Sequence, residues 1–283
     1  MDSRMETTIA GVTWKNPVTT ASGTFGSGRE YGELIDLNRL GAITVKGVSE
    51  EAWKGNPVPR LAETQSGLLN SIGLQNAGAE LFIENDIPFL RQYDTKIIVN
   101  ICGHTLSQYC AVAERFADCD IDMLELNISC PNVEEGGLSF GTDPHVVERV
   151  VKAVRNYVKQ PLIVKLSPEV TDITEIARAA VSGGADALSL INTLRGMKID
   201  IHKRKPILAN KIGGYSGPGI MPVALRMAYE VCHSVDVPVI GMGGISTFED
   251  ALQFIMAGAE AVAVGTANFY NPYATVEIID GIR

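Results

Sequence analysis

The segment LELNISCPNVEEGG, residues 124–137, joins an apolar run to a loop marked by glycine. Within it, Asn127, Ser129, Cys130 and Asn132 offer two amides, a hydroxyl and a thiol. A thiol with polar neighbours and access to a cavity can act as a base or a nucleophile. A lone cysteine is more often an inert apolar residue, so the rest of the chain must decide. The segment contains no histidine, which leaves a protease-like Cys/His pair without local support.

Polar side chains also end other apolar runs of this sequence. Asn100, Asn127 and Asn192 each lie at or next to the end of one, although asparagine is depleted in strands. A single asparagine there could merely cap the following loop. Three amides around one cavity are better suited to a flat, neutral ring, because each amide both donates and accepts hydrogen bonds. Pyrimidines and flavins present such alternating N–H and C=O groups.

Two lysines, Lys46 and Lys165, lie near the ends of two further runs. A buried lysine is costly unless negative charge lies nearby. One of them could be a Schiff-base nucleophile if its pKa were lowered. Alternatively, one could stabilise negative charge on a reduced cofactor, and the residue types alone leave both interpretations open.

The elements that must position these residues alternate between strands and helices. Eight short apolar runs are typical of parallel strands buried on both faces: residues 16–22, 41–47, 96–101, 121–127, 161–167, 186–192, 237–244 and 260–266. Helical periodicity separates most of them, at residues 106–118, 144–158, 173–184, 222–235 and 247–259. The pattern predicts a single α/β domain over residues 1–283, a (β/α)8 TIM barrel whose strand ends form the site. A doubly wound sheet is the alternative.

The connections between these elements add three expectations. Residues 7–17, TTIAGVTWKNP, suggest a hairpin that closes the bottom of the barrel. Residues 48–95 and 193–221 show no strand of barrel type and are long enough to be functional βα loops over the mouth. Asn70 and Asn76 lie in the first of these loops and could add two amides to the mouth.

Glycine-rich loops predict a phosphate site. GMGGIS (241–246) follows the seventh run and VGTANF (264–269) follows the eighth. Barrels often bind phosphate between these two loops, where glycines allow backbone N–H groups to approach an anion. GYSGPGI (214–220) is a third such loop, and two ordinary tight turns are the alternative to a binding site.

Composition excludes several classes of function. The net charge of −9 and the lack of a long basic run argue against nucleic acid and anionic membranes as partners. The basic segment 202–206, HKRKP, is expected to be a solvated loop. Five cysteines without a CxxC motif or metal-ligand spacing predict a reduced, cytoplasmic chain with no metal site. Neither a signal peptide nor a membrane span is expected.

Taken together, the motifs resemble the catalytic subunit of class 1B dihydroorotate dehydrogenase. The resemblance rests on segments spread in order over nearly the whole chain: ASGTFGSGREY, NSIGLQNAG, LELNISCPNVEEGG, VKLSPEVTDI, LINTLRGMKID, GGYSGPGIMPVALR, IGMGGI and AVAVGTANF. It implies an FMN-dependent barrel that oxidises dihydroorotate to orotate in pyrimidine biosynthesis.

The resemblance also implies roles for individual residues. Cys130 matches the catalytic base, which takes the proton from C5 while hydride leaves C6 for flavin N5. The matches to FMN-binding positions are Ser22, Lys46, Gly47, Asn100, Asn127, Lys165, Ile191, Gly217, Gly243, Gly244, Gly265 and Thr266. The matches to substrate-binding positions are Lys46, Asn70, Ser71, Ile72, Gly73, Leu74, Asn127, Asn192 and Thr193.

Members of this class work with a second subunit that carries FAD and a [2Fe–2S] cluster and passes electrons to NAD⁺, as a heterotetramer of two catalytic and two electron-transfer chains. The resemblance further implies a last helix that continues beyond Arg283. Three alternatives stay open: a fumarate-linked class 1A homodimer, a flavin-free Schiff-base aldolase that uses Lys165, and a non-catalytic sensor of a phosphorylated ligand.

Overall fold

The computed structural model describes residues 3–128 and 141–283. The strands are β1 (Thr7–Ile9), β2 (Val12–Trp14), β3 (Val18–Thr20), β4 (Ala42–Thr44), β5 (Leu61–Thr64), β6 (Gly67–Asn70), β7 (Lys96–Ile101), β8 (Met123–Asn127), β9 (Leu162–Lys165), β10 (Ala187–Leu190), β11 (Leu194–Met197), β12 (Ile199–Asp200), β13 (Lys205–Pro206), β14 (Ile212–Ser216), β15 (Val239–Met242) and β16 (Ala261–Val264). The helices are α1 (Arg29–Gly32), α2 (Ala79–Leu81), α3 (Ile87–Leu90), α4 (Leu106–Phe116), α5 (Pro144–Arg155), α6 (Ile173–Ser182), α7 (Met221–Cys232), α8 (Phe248–Met256), α9 (Ala267–Tyr270) and α10 (Ala274–Ile282).

The central sheet is an eight-stranded parallel barrel. Its strands lie in the order β3, β16, β15, β10, β9, β8, β7 and β4, so neighbours in space are neighbours in the barrel's chain order. β3 and β4 close the ring, since Thr20 Oγ1 donates to Thr44 O (3.2 Å) and Gly41 N donates to Val18 O (3.1 Å). In a doubly wound sheet the order of the strands reverses at a switch point, and the order of these eight strands shows no such reversal. The prediction of a barrel is therefore confirmed.

Each predicted strand is present within its apolar run. The residues of β8, β9, β10, β15 and β16 are buried throughout, as expected for strands covered on both faces. The predicted hairpin is also present as β1 and β2, paired antiparallel with Thr7 opposite Trp14. Ile9 and Trp14 are fully buried and pack with the lowest layer of inward side chains, so the hairpin closes the barrel bottom.

All five predicted helices are present, and four of them begin at a residue whose side chain caps the helix, whereas α7 begins without a side-chain cap. Thr105, Asp143, Asp172 and Thr247 each accept a hydrogen bond from a backbone N–H of the first turn of α4, α5, α6 and α8. The caps of α4, α6 and α8 lie a few residues after a strand end, and this fixes three short βα loops at the barrel mouth. Among the described residues, none of the helices is long and apolar enough to cross a membrane.

The two long connections fold together into a second sheet. β5 and β6 come from the first connection and β11 and β14 from the second, and they form an antiparallel sheet in the order β11, β14, β6, β5. Asn70 of β6 is opposite Gly214 of β14. Neither connection contributes a strand to the barrel, as predicted. Their pairing places both of them beside the carboxyl ends of the barrel strands.

Candidate active site

A cavity of about 410 Å³ lies at the carboxyl ends of the barrel strands and under the second sheet. Its volume is within the range of small-molecule and cofactor sites. Most of the residues predicted from the sequence line it: Ser22, Lys46, Gly47, Asn70, Ile72, Leu74, Asn100, Asn127, Lys165, Ile191, Asn192, Thr193, Gly217, Gly243, Gly244, Gly265 and Thr266.

Two of the predicted residues, Ser71 and Gly73, do not line the cavity. Ser71 and Gly73 belong to the loop after β6 but face Asn56: the Ser71 carbonyl accepts from Asn56 Nδ2 (3.1 Å), and a Cβ on Gly73 would lie 2.6 Å from Asn56 Cγ. The Ser71 hydroxyl is buried and has no hydrogen-bond partner among the described residues. Cys130 lies outside the described residues, so its role stays a prediction.

The amides gather on one side of the cavity. Asn192 Nδ2 lies 3.5 Å from Asn127 Oδ1, and Asn192 Oδ1 accepts from the backbone N–H of Thr193 (2.8 Å). Asn70 Nδ2 donates to Gly214 O (3.3 Å), so the pairing of β6 with β14 positions this residue. Strand ends and the second sheet thus combine to present donors and acceptors of the kind that a planar heterocycle needs.

Two lysines reach the same cavity from different strands. Lys165 is only 4% exposed, and its Nζ donates to Ser22 Oγ (3.1 Å). Burial lowers the pKa of Lys46; Cys102 partly opposes this shift, and the nearby charge of Lys165 adds to it. Two ammonium groups in one cavity favour a ligand that carries or develops negative charge.

Three glycine-containing loops also meet at the cavity. Gly217, Gly243 and Gly244 have φ values of +103°, +127° and +81°, which side chains rarely allow. A Cβ on Gly244 would lie 2.6 Å from Met221 Cβ and 3.0 Å from Gly217 O. Thr266 Oγ1 donates to a hydroxyl oxygen of the first loop, Ser216 Oγ (2.8 Å). Backbone packed this closely can present N–H groups to an anion such as phosphate.

Replacing Gly244 by alanine is therefore expected to weaken binding of a phosphorylated cofactor at least about tenfold, through backbone strain and the contact with Met221. The dissociation constant of FMN, followed by quenching of its fluorescence, measures the effect. Gly11→Ala is a matched control, because Gly11 also has a positive φ (+84°) but lies in the N-terminal hairpin with no atom within 4 Å of a new Cβ. Equal affinities of parent and Gly244→Ala would contradict the assignment.

Several residues of the site were not predicted. Glu125 lies on β8 below the cavity, where it accepts hydrogen bonds from Asn100 and Ser189. Ser216 and Phe269 line the cavity itself. A signal for Glu125 was present, since an acidic residue between two leucines of a buried strand needs a reason. No sequence signal indicated Phe269, because its contact with the cavity depends on how the second sheet and α9 meet.

Comparison with known proteins places the chain in a family. The family model for dihydroorotate dehydrogenase matches residues 4–283. A protein of Alkaliphilus metalliredigens (strain QYMF) is 69% identical over 279 residues, which cover 99% of this chain and 92% of the relative. A protein of Lachnoclostridium phytofermentans is 64% identical over 276 residues, which cover 98% and 92%. Both are named dihydroorotate dehydrogenase B (NAD(+)), catalytic subunit. The chain therefore belongs to the dihydroorotate dehydrogenase family, in its class 1B branch.

Proposed function

We propose that this chain is the FMN-binding catalytic subunit of a dihydroorotate dehydrogenase and oxidises (S)-dihydroorotate to orotate in de novo pyrimidine (UMP) biosynthesis. The names of its relatives support the reaction. The single observation that carries the proposal is one cavity that combines amides, two lysines and a glycine cradle. That set of groups matches the needs of a phosphorylated flavin and of a pyrimidine ring together.

The described residues fit FMN. The loops that contain Gly217, Gly243 to Gly244 and Gly265 to Thr266 provide a cradle that a Cβ would fill, and this suits the phosphate. The ammonium group of Lys165 can stabilise negative charge on the ring system of reduced flavin. Asn100 Oδ1 is buried without a hydrogen-bond partner among the described residues, which leaves an acceptor in the wall of the cavity. Ser22, Lys46, Gly47, Asn127 and Ile191 complete the proposed FMN-binding set.

The substrate is proposed to lie against the amides. Asn127, Asn192 and Thr193 line the cavity from two strand ends, while Asn70, Ile72 and Leu74 line it from the loop after β6. Ser71 and Gly73 are kept in the proposed set as neighbours that shape this loop. Because the ring of dihydroorotate has amide-type N–H and C=O groups, these side chains can fix its orientation.

The reaction converts the C5–C6 single bond of dihydroorotate into a double bond. Cys130 is proposed as the base that takes the proton from C5, and it follows Asn127 by three residues in the chain. When bound, FMN supplies a two-electron acceptor for the hydride that leaves C6. Lys46 is proposed to contact both cofactor and substrate. Asn127 is proposed to orient the substrate for transfer of the C5 proton to Cys130.

The electrons are proposed to pass through a second subunit to NAD⁺. The words "catalytic subunit" and "NAD(+)" in the names of the relatives support a separate partner and this acceptor. The partner is proposed to carry FAD and a [2Fe–2S] cluster, in a heterotetramer of two chains of each kind in the cytoplasm. Among the described residues, no group of three or more His, Cys, Asp or Glu side chains could hold a metal ion.

The proposal is tested by loading the purified chain with FMN and measuring the formation of orotate from dihydroorotate with three acceptors. We expect turnover with an artificial dye, none with fumarate, and turnover with NAD⁺ only when the partner subunit is added. Turnover with fumarate would instead indicate a class 1A enzyme. A chain that binds no FMN and forms a borohydride-trapped adduct with a carbonyl compound at Lys165 would contradict the proposal.

A further inference from the structure

A buried acid lies one layer below the cavity and has no part in the reaction proposed above. Glu125 is 2% exposed and precedes Asn127 by two residues on β8, so both side chains point into the barrel. Interiors of such barrels are usually filled by branched apolar side chains. A buried carboxylate is costly there unless it is hydrogen-bonded. Its position therefore calls for a reason other than packing.

Both oxygens of the Glu125 carboxylate accept a hydrogen bond. Asn100 Nδ2 donates to Oε2 (2.6 Å), and Ser189 Oγ donates to Oε1 (2.6 Å). Asn100 on β7 is also the direct neighbour of Glu125 in the strand register. Hydrogen bonds to a carboxylate are shorter and stronger than those between neutral groups. The three side chains therefore form a fixed unit across β7, β8 and β10.

This unit decides which end of the Asn100 amide faces Glu125. An amide has a donor end and an acceptor end of nearly the same shape. Nδ2 faces the carboxyl group of Glu125, so Oδ1 turns the other way. Oδ1 lies against Gly47, where an added Cβ would be 2.9 Å away, and it has no partner among the described residues. Asn100 and Gly47 both line the cavity.

We propose that Glu125 is a positioning residue of the flavin site: it fixes the orientation of Asn100 and places a negative charge beside the cofactor cavity. The inference rests on the proposed function, since it concerns the same cavity. Lys46 and Lys165 favour the gain of negative charge by a bound flavin. The charge of Glu125 opposes it, so the carboxylate holds the reduction potential of the cofactor below the value that the lysines alone would give.

Glu125→Gln removes the carboxylate at this position but can keep the orientation of the Asn100 amide. A glutamine can accept from Asn100 through Oε1 and donate from Nε2 to Ser189 Oγ, because a hydroxyl also accepts. The affinity for oxidised FMN is expected to stay within about threefold of the parent. The ratio of the dissociation constants for oxidised and reduced FMN should rise about tenfold, which corresponds to a midpoint potential about 30 mV more positive.

Glu125→Leu removes both the carboxylate and the acceptor that orients the Asn100 amide. Asn100 Nδ2 then loses its acceptor and the amide is free to turn. The affinity for oxidised FMN is expected to fall at least about tenfold relative to both the parent and Glu125→Gln. Circular dichroism and thermal unfolding establish that the variant is folded. If it does not fold, the potential of Glu125→Gln still decides the proposal.

Asp122→Asn is the matched control. Asp122 is a carboxylate just before β8, at the other end of the same strand, where it accepts from Ile97 N (2.9 Å) and pairs with Arg91 (2.9 Å). Its FMN affinity and potential should equal those of the parent. An unchanged potential in Glu125→Gln together with unchanged affinity in Glu125→Leu would overturn the inference but not the proposed function. A parent chain that binds no FMN would overturn both.

Discussion

Cys130→Ser is expected to slow reduction of the bound FMN by dihydroorotate by about two to four orders of magnitude, the usual contribution of a general base. A serine hydroxyl holds its proton far more tightly than a thiol, whose ordinary pKa is about 8.5. The substitution leaves the glycine loops untouched, so FMN should remain bound with unchanged affinity. Stopped-flow absorbance under anaerobic conditions separates the reduction step from binding.

The control for this variant is another cysteine-to-serine change in the same chain. Cys110 lies on α4 and does not line the cavity, and burial raises the pKa of its thiol. Cys110→Ser should therefore reduce its flavin at the parental rate. The rate for Cys130→Ser should also lose the pH dependence of the parent near the pKa of the thiol. Parental kinetics in Cys130→Ser would remove Cys130 from the mechanism.

Lys165→Ala is expected to slow flavin reduction about 10²- to 10³-fold, as for loss of one group that stabilises developing charge. Lys165 is almost completely buried at the end of β9, with its ammonium group at the cavity and next to Ser22. Lys165→Met keeps the length of the stem without the charge, so it should be equally slow. The two variants distinguish loss of charge from the cavity that alanine leaves.

The midpoint potential of the bound flavin is a second measurement, and it separates the effect of the Lys165 charge from an effect of packing. Without Lys165, the bound flavin should have a more negative midpoint potential, because its reduced form loses a cationic neighbour. This shift is opposite in sign to the one expected for Glu125→Gln. Ser22→Ala keeps the ammonium group and should change the potential little. Parental rates and potentials in both Lys165 variants would leave the lysine with a packing role alone.

The barrel could be predicted because its signals are local. Each strand of the ring lies inside an apolar run, and caps such as Thr247 mark the starts of helices within the sequence itself. The positions of Asn100, Asn127 and Lys165 at the mouth followed directly, since carboxyl ends of parallel strands meet at one face. Apart from β7, the strands are shorter than the runs; for example, β15 covers Val239–Met242 within residues 237–244.

The second sheet could not be predicted, because its pairing is not local. β6 joins β14 over a separation of more than a hundred residues, with Leu69 opposite Tyr215, and no periodicity in either segment announces a partner. That pairing decides which residues after β6 reach the cavity. It turns Asn70, Ile72 and Leu74 toward the cavity and Gly73 toward Asn56. The predicted site residues 70–74 are continuous in the sequence, but in the folded loop only every second one lines the cavity.

Glu125 illustrates a different limit. The sequence shows an acid in an apolar strand but not what it contacts, because Asn100 and Ser189 belong to other strands. The barrel register brings the three together. Residue types at strand ends thus indicate the class of ligand, whereas the groups that orient them depend on the packed structure.

The most direct measurement is the anaerobic half-reaction of the parent chain. The purified protein is loaded with FMN, freed of oxygen and mixed with dihydroorotate, while flavin absorbance and orotate are followed together. We expect the flavin to bleach and one orotate to form per flavin reduced, without any partner subunit. A yellow protein that keeps its colour and forms no orotate would contradict the proposed reaction, and a protein that stays colourless after addition of FMN would contradict the cofactor site itself.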